Sequence, residues 1–73
     1  MADAMTAAIR VNGQDEPLAA ATIAALLETR EISPQMRGIA VARNGSVVRR
    51  ADWATTAVRP GDVIEIVLAR QGG

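Results

Sequence analysis

Apolar and polar residues alternate along several short stretches of the chain, which is the period-2 pattern of β-strands. The pattern predicts two strands, at residues 7–11 and 14–19, before a helical segment. Three more strands are predicted after the helix, at residues 38–43, 46–50 and 63–70. This order favours an α+β fold, in which one main helix packs across a mixed sheet of four to five strands.

Turn-forming residues separate the predicted strands. Asn12-Gly13 and Asn44-Gly45 tolerate the positive φ angles of tight hairpin turns. Pro17 has no N–H group to donate, so the second strand is expected at an edge of the sheet. Residues 59–62, Arg-Pro-Gly-Asp, are also typical of a turn. We therefore expect two hairpins separated by the helix, followed by a final strand.

The helical segment begins near Thr22, whose hydroxyl is suited to cap the first turn. The segment carries an apolar stripe at helical spacing, formed by Ile23, Leu26 and Leu27. Ser33-Pro34 ends the helical region, because the residue before a proline disfavours helical angles. Met36 is expected to close the open end of the core. We expect the strand after this crossover to run parallel to the first strand of the chain.

The last predicted strand, residues 63–70, is largely apolar on both faces, as is typical of a central strand. Ile64, Ile66 and Leu68 share the face expected beneath the helix. The opposite face is then expected to expose an apolar patch, and such patches commonly bind partners. We assign this predicted partner surface to Val63, Glu65 and Val67.

Composition excludes several classes of function. The 73 residues contain eight basic residues, all Arg, and eight acidic ones, so the formal net charge is zero. This balance argues against nonspecific binding to nucleic acid or to a membrane. Neither a membrane-length apolar run nor a signal-peptide pattern is present, which favours the cytoplasm. Cys and His are absent, which excludes the usual zinc sites, Cys–His nucleophiles and imidazole bases. We do not expect the chain to be an enzyme by itself.

The C-terminus carries the group best suited to covalent chemistry. Gly72-Gly73 follow the last strand closely, and residues without a Cβ can enter a narrow channel. We therefore predict a loose extension at residues 1–6, a domain at residues 7–70 and a flexible tail at residues 71–73. The Gly73 carboxylate is the predicted reactive group.

A series of short motifs in the second half of the chain carries a family resemblance. The motifs are residues 40–48, Arg50, Trp53, Gly61-Asp62, residues 64–67 and the terminal Gly72-Gly73. In this order and spacing they resemble the bacterial sulfur-carrier proteins of thiamin thiazole synthesis, over roughly residues 7–73. The resemblance implies the ubiquitin-like β-grasp fold, which agrees with the predicted order of elements, and it implies a carrier rather than a catalyst.

The resemblance also implies a chemistry and a set of partners. An adenylyltransferase of the ubiquitin-activating type would use ATP and magnesium to adenylate Gly73, so the carrier itself needs no permanent cofactor. A cysteine desulfurase or another sulfur donor would then convert the adenylate into a thiocarboxylate, which a thiazole synthase would consume. A tail that visits several partners favours a monomer.

Individual residues in the resemblance carry more specific expectations. Arg70 and Gln71 depart from the more apolar residues that some relatives have before Gly-Gly. Trp53 matches a family position and is interpreted as a packing anchor. Arg50 also matches; it is expected to pair with Asp52 or Asp62, or to contact the activating enzyme as part of the partner surface.

Two other functions remain open at this point. The small subunit of molybdopterin synthase, or a carrier for cysteine or tRNA thiolation, would share the fold, the tail and its activation. A β-grasp interaction module without chemistry would carry Gly72-Gly73 only incidentally. Such a module should tolerate loss or extension of Gly73, whereas a carrier should not.

Overall fold

The chain folds as a five-stranded sheet with one short α-helix, in a computed structural model that describes residues 7–33 and 35–69. The elements are β1 (Ala8–Val11), β2 (Gln14–Pro17), α1 (Ile23–Glu28), β3 (Ile39–Arg43), β4 (Ser46–Val48), a 3₁₀ turn (Arg50–Asp52) and β5 (Val63–Leu68). The order of elements agrees with the prediction, although all five strands are shorter than predicted. Within the described ranges, no helix has the length and apolar character needed to cross a membrane. The predicted extension at residues 1–6 and tail at residues 71–73 lie outside the described residues.

The strand order in the sheet is β2-β1-β5-β3-β4, which places the last strand of the chain at the centre. β1 and β5 are parallel, and the other neighbouring pairs are antiparallel. The predicted central position of β5 and edge position of β2 are therefore confirmed. Pro17 is the last residue of that edge strand.

The direction of β3 corrects the prediction that it would run parallel to β1. β3 is antiparallel to β5, which is parallel to β1, so β3 runs opposite to β1. The chain enters α1 from β2, which is antiparallel to β1, and β3 continues in the direction of β2. The helical crossover joins β2 to β3, so these are the two strands that run in the same direction. The strand parallel to β1 is β5.

The core lies on the sheet face that α1 covers. Thr22 caps the helix as predicted, since its Oγ1 accepts a bond from the Ala25 N–H at 3.1 Å. Trp53 is buried, as expected for a packing anchor. Met36 does not close the core; its side chain is 43% exposed, and Ile32 is the buried residue that follows the helix. The buried apolar set is Ile9, Val11, Ala20, Ile23, Leu26, Leu27, Ile32, Val41, Trp53, Val58, Ile64 and Ile66.

Two turn asparagines bind β5 through their side chains. Asn12 and Asn44 adopt φ angles of 51° and 52°, as their Asn-Gly turns require. The Asn12 amide donates to the Ile66 carbonyl at 3.2 Å and accepts from the Ile66 N–H at 2.8 Å. Asn44 Oδ1 accepts from the Val63 N–H at 2.9 Å. Each side chain thus bonds the β5 backbone from beyond the end of a neighbouring strand.

Asp62 is the buried carboxylate at the start of β5. Oδ2 accepts from the Arg59 N–H and from Arg43 Nε, each at 2.8 Å, and Oδ1 accepts from Asn44 Nδ2 at 3.0 Å. Burial raises the pKa of this carboxyl, but the bonds from Arg59, Arg43 and Asn44 and the charge of Arg43 outweigh burial. Its pKa therefore lies below the ordinary value of 3.8.

The asparagine bonds predict the effect of Asn12→Gly. Glycine accepts the positive φ angle of this turn but removes both side-chain bonds to Ile66. We expect the free energy of unfolding to fall by about 1–2 kcal/mol in urea denaturation. Asn12→Asp is the matched control because it retains an acceptor for the Ile66 N–H. Slowed amide exchange at Ile66 should persist in Asn12→Asp and disappear in Asn12→Gly; equal protection in all three proteins would contradict the assignment.

The Asp62 site predicts a pH-dependent contribution to stability. Because the folded-state pKa of Asp62 is lowered, its contribution to the free energy of unfolding is fully present above the unfolded-state pKa. This contribution is lost as the pH falls through the folded-state pKa. Asp62→Asn should lower the free energy of unfolding by roughly 1.5–3 kcal/mol at neutral pH, with a smaller difference in acid.

Asp15→Asn is the control for this measurement, because exposed Asp15 pairs only with exposed Arg10 in the described region. This change should alter the free energy of unfolding by less than about 1 kcal/mol. A difference between wild type and Asp62→Asn that stays constant from neutral pH to acid would contradict the ionised role of Asp62.

Candidate functional site

The sheet face that α1 leaves uncovered presents three of the predicted site residues. Ile64 and Ile66 of β5 are buried, so the alternating residues Val63, Glu65 and Val67 point to the opposite face. Val63 is 42% exposed and Val67 is 58% exposed. The structure therefore brings these three residues together as expected, on one face of the central strand.

Strand register extends this surface over β3 and β4. Glu65 lies opposite Ala42, Ala42 lies opposite Val47, and Val67 lies opposite Ala40. Residues directly opposite each other in a sheet share a face, and Val47 is 76% exposed. We call the six residues the outer patch: Val63, Glu65, Val67, Ala40, Ala42 and Val47.

The outer patch is apolar apart from one carboxylate. Glu65 takes part in none of the ion pairs among the described residues. Arg10, opposite Val63 in the register, forms its 3.0 Å ion pair with Asp15 at the margin of the patch. A carboxylate that is covered without a cation is strongly unfavourable. The patch therefore suits a partner whose apolar surface includes a basic side chain near Glu65.

A second part of the site lies where the chain leaves β5. Leu68 is opposite Ile39, and the Ala69 N–H donates to the Gly38 carbonyl at 2.6 Å. Gly38 has a φ angle of +76°, and a Cβ placed there would lie 2.8 Å from the Ala69 carbonyl oxygen. Leu68 is 53% exposed although it belongs to the helix-side face. We call Gly38, Leu68 and Ala69 the tail root.

The tail residues of the prediction follow the tail root in the sequence. Gly73, the predicted reactive residue, and Gly72, Gln71 and Arg70 lie outside the described residues. Their proposed roles remain predictions. The structure positions the chain as far as Ala69, directly before them.

Arg50 is separated from the outer patch that it was predicted to join. Its Cζ lies 4.6 Å from the centroid of the Trp53 ring, which is buried in the helix-side core. Its Nη2 donates to the Met36 carbonyl at 2.7 Å. The expected pair between Arg50 and Asp62 is wrong, because Arg43 binds the Asp62 carboxylate.

Sequence reasoning missed several residues of the site. Val47 could have been found from the Asn44-Gly45 hairpin, because a two-residue loop there places Val47 opposite Ala42. Gly38 had a weaker signal, a single glycine before a strand. For the contact between Arg50 and Trp53, the only sequence signal was that the two residues are three positions apart.

No group of three or more acidic side chains is close enough to hold a metal ion in residues 7–33 and 35–69. The polar atoms at the two parts of the site are the Glu65 carboxylate and the backbone groups of Gly38 and Ala69. These groups suit binding and orientation of a chain end.

Sequence comparison relates the chain to sulfur carriers. The family model described as the ThiS family matches residues 9–73. The sulfur carrier protein ThiS of Thermus thermophilus is 33% identical over 63 residues, which span 86% of this chain and 95% of that protein.

Structural comparison agrees with the sequence matches. The crystal structure of the thiamine biosynthesis protein ThiS from Geobacter metallireducens is similar with a TM-score of 0.72 and 28% identity, covering 90% of this chain and 99% of its own. An NMR solution structure of a thiamine biosynthesis protein from the same organism gives the same TM-score and identity, with 87% of its chain covered. The predicted ubiquitin-like β-grasp fold is confirmed by this likeness.

Proposed function

The chain belongs to the ThiS family of sulfur carriers in thiamine biosynthesis, and from this premise we propose that it carries sulfur as a thiocarboxylate formed at Gly73. The observation that carries the proposal is the extent of the family match, which continues through Gly73. The last described residues before the tail, Val67, Leu68 and Ala69, are exposed. The family match also favours thiamine biosynthesis over molybdopterin synthesis as the destination of the sulfur.

Activation is the first chemical requirement, because a free carboxylate is a poor electrophile. In the proposed reaction, a Gly73 carboxylate oxygen attacks the α-phosphorus of ATP and pyrophosphate leaves, giving an acyl-adenylate. An adenylyltransferase of the ubiquitin-activating type supplies the ATP site and the magnesium ion. The carrier is the substrate of this step and has no catalytic residue in it.

Sulfur transfer follows from the reactivity of the adenylate. The terminal sulfur of a donor persulfide attacks the Gly73 carbonyl carbon, and AMP leaves. This step forms an acyl disulfide between Gly73 and the sulfur donor. A thiol then attacks the donor's sulfur atom, forms a disulfide with the donor and releases the Gly73 thiocarboxylate. A cysteine desulfurase is the proposed origin of the persulfide, and a thiazole synthase is the proposed acceptor of the sulfur.

The outer patch is the proposed docking surface for the activating enzyme. The short side chains of Ala40 and Ala42 project little from β3. Val47, Val63 and Val67 supply the exposed apolar area of the patch. Glu65 requires a cation when a partner covers it, which restricts the partners that fit. Docking of the sheet face would place the tail root at the margin of the interface, because Ala69 follows Val67 by only two residues.

Changing the C-terminus tests the carrier chemistry. Deletion of Gly73, or addition of one residue after it, should leave the melting temperature unchanged and abolish sulfur loading. Intact mass after incubation with ATP, a sulfur source and the activating enzyme should show one oxygen exchanged for sulfur in the wild type only. Addition of the same residue at the N-terminus is the control and should not prevent loading. Sulfur loading of the C-terminally extended protein would contradict the proposal.

Val67→Asp tests the docking surface. Val67 is 58% exposed, so the change should alter the melting temperature little, while a second carboxylate beside Glu65 should raise the Kd for the activating enzyme. We expect a change of about tenfold or more, equivalent to at least about 1.4 kcal/mol, in titration calorimetry.

Ala54→Asp is the matched control for Val67→Asp, because it adds the same charge at an exposed position outside the outer patch. Its Kd should stay within about twofold of the wild type, which corresponds to roughly 0.4 kcal/mol. Equal effects of the two changes on the Kd would contradict the assignment of the outer patch.

A further inference from the structure

Arg50 connects the core to the segment that precedes β3. The guanidinium lies over the face of Trp53 and donates to the Met36 carbonyl at 2.7 Å. A cation over an indole ring is attracted by the ring quadrupole, and the planar guanidinium keeps a fixed donor direction while it stacks. The position of the Met36 carbonyl is thereby tied to the position of Trp53.

Trp53 is itself held firmly. Its side chain is 3% exposed, and Nε1 donates to the Val48 carbonyl at 2.9 Å. The Trp53 carbonyl accepts from the Ala24 N–H in the first turn of α1, also at 2.9 Å. Trp53 therefore provides a rigid support, because its ring is bonded to β4 and its backbone carbonyl is bonded to α1.

Met36 is close in sequence to the tail root. Two residues later, the Gly38 carbonyl accepts the Ala69 N–H at 2.6 Å, and the space where a Gly38 side chain would begin is taken by the Ala69 carbonyl. A displacement of residues 36–38 would therefore move the group that binds Ala69. Ala69 is the last described residue before the tail.

We propose that Arg50 is a positioning residue for the C-terminal tail. It holds residues 36–38, which in turn fix Ala69 and the direction in which the chain leaves β5. The inference rests on the proposed function, because its consequence is the orientation of the Gly73 carboxylate toward the α-phosphorus of ATP during adenylation. Holding a reactant in a favourable orientation accelerates reaction without contact with the reacting atoms.

This role differs from that of a docking residue. Arg50 acts through Gly38 and Ala69, whereas the outer patch lies on the opposite face of the sheet. Loss of the Arg50 donor should therefore affect the rate of adenylation and leave the binding of the sheet face unchanged. A change that only lowered stability would not reduce the adenylation rate while leaving the binding of the sheet face intact.

Arg50→Met is the first test variant, because an unbranched apolar chain can still cover Trp53 but cannot donate to Met36. Arg49→Met is the matched control, since it removes the same charge at the adjacent exposed position. In the isolated protein, amide exchange at Ala69 should become about tenfold faster in Arg50→Met, which corresponds to about 1.4 kcal/mol. Exchange at Ile66 should not change, and Arg49→Met should resemble the wild type at both amides.

Adenylation provides the second readout. In ATP–pyrophosphate exchange with the activating enzyme, Arg50→Met should lower kcat about tenfold, equivalent to about 1.4 kcal/mol in the barrier. The KM for the carrier should remain within about twofold, because the outer patch is intact. Gly38→Ala, which displaces Ala69 directly, should lower kcat in the same way.

The two readouts separate the possible failures. Unchanged exchange at Ala69 in Arg50→Met would overturn the positioning role, whatever the carrier activity. Faster exchange at Ala69 with wild-type kcat would overturn its relevance to adenylation. Absence of pyrophosphate exchange with the wild type would contradict the proposed function, and the Ala69 measurement would then decide alone whether Arg50 holds the strand end. If Arg50→Met unfolds, Arg50→Leu, which also cannot donate to the Met36 carbonyl, replaces it with the same expectations.

Discussion

Hydrogen bonding along both edges of β5 is the constraint on which the rest of the structure depends. β1 pairs with one edge in parallel and β3 with the other in antiparallel orientation, while the Asn12 and Asn44 side chains bond β5 beyond the ends of those strands. The helix-side face of β5 is buried through Ile64 and Ile66. Ala69, the last described residue, directly follows this strand, so the backbone is held on both edges almost to the end of the described chain.

The small size of the chain explains why one sheet face remains open. A domain of this length buries only about 60% of the surface that its unfolded chain exposes. A single short helix provides one covering layer, so the core forms on one face of the sheet and the outer patch remains on the other. Alternation along β5 separates the two faces, because its odd-numbered residues belong to the exposed outer patch and its even-numbered residues up to Ile66 face the core. In the proposed function, stability and docking therefore depend on different side chains of one strand.

Local signals made much of the fold predictable from the sequence. Alternation identified the strands, Pro17 placed β2 at an edge, and an apolar final strand indicated a central position. What could not be predicted depends on register between distant residues. Arg50 was the arginine expected beside Asp62, but the pairing of Arg43 with Ile64 brings Arg43 there instead.

The candidate site divides in the same way between local and long-range signals. Alternation along β5 was enough to place Val63, Glu65 and Val67 together. The reactive group predicted at Gly73 lies outside the described residues and stays a prediction. The position of Val47 in the outer patch follows only from the register of β3 with β4. The contact between Gly38 and Ala69 follows only from the register of β3 with β5. Arg50 was misplaced because β4 ends at Val48, so the chain turns toward Trp53 before residue 50. The only aromatic residue of the chain thus places a cation near the tail root, on the other side of the sheet from Glu65. In the proposed function, partner affinity therefore depends on the outer patch, and tail orientation depends on Arg50.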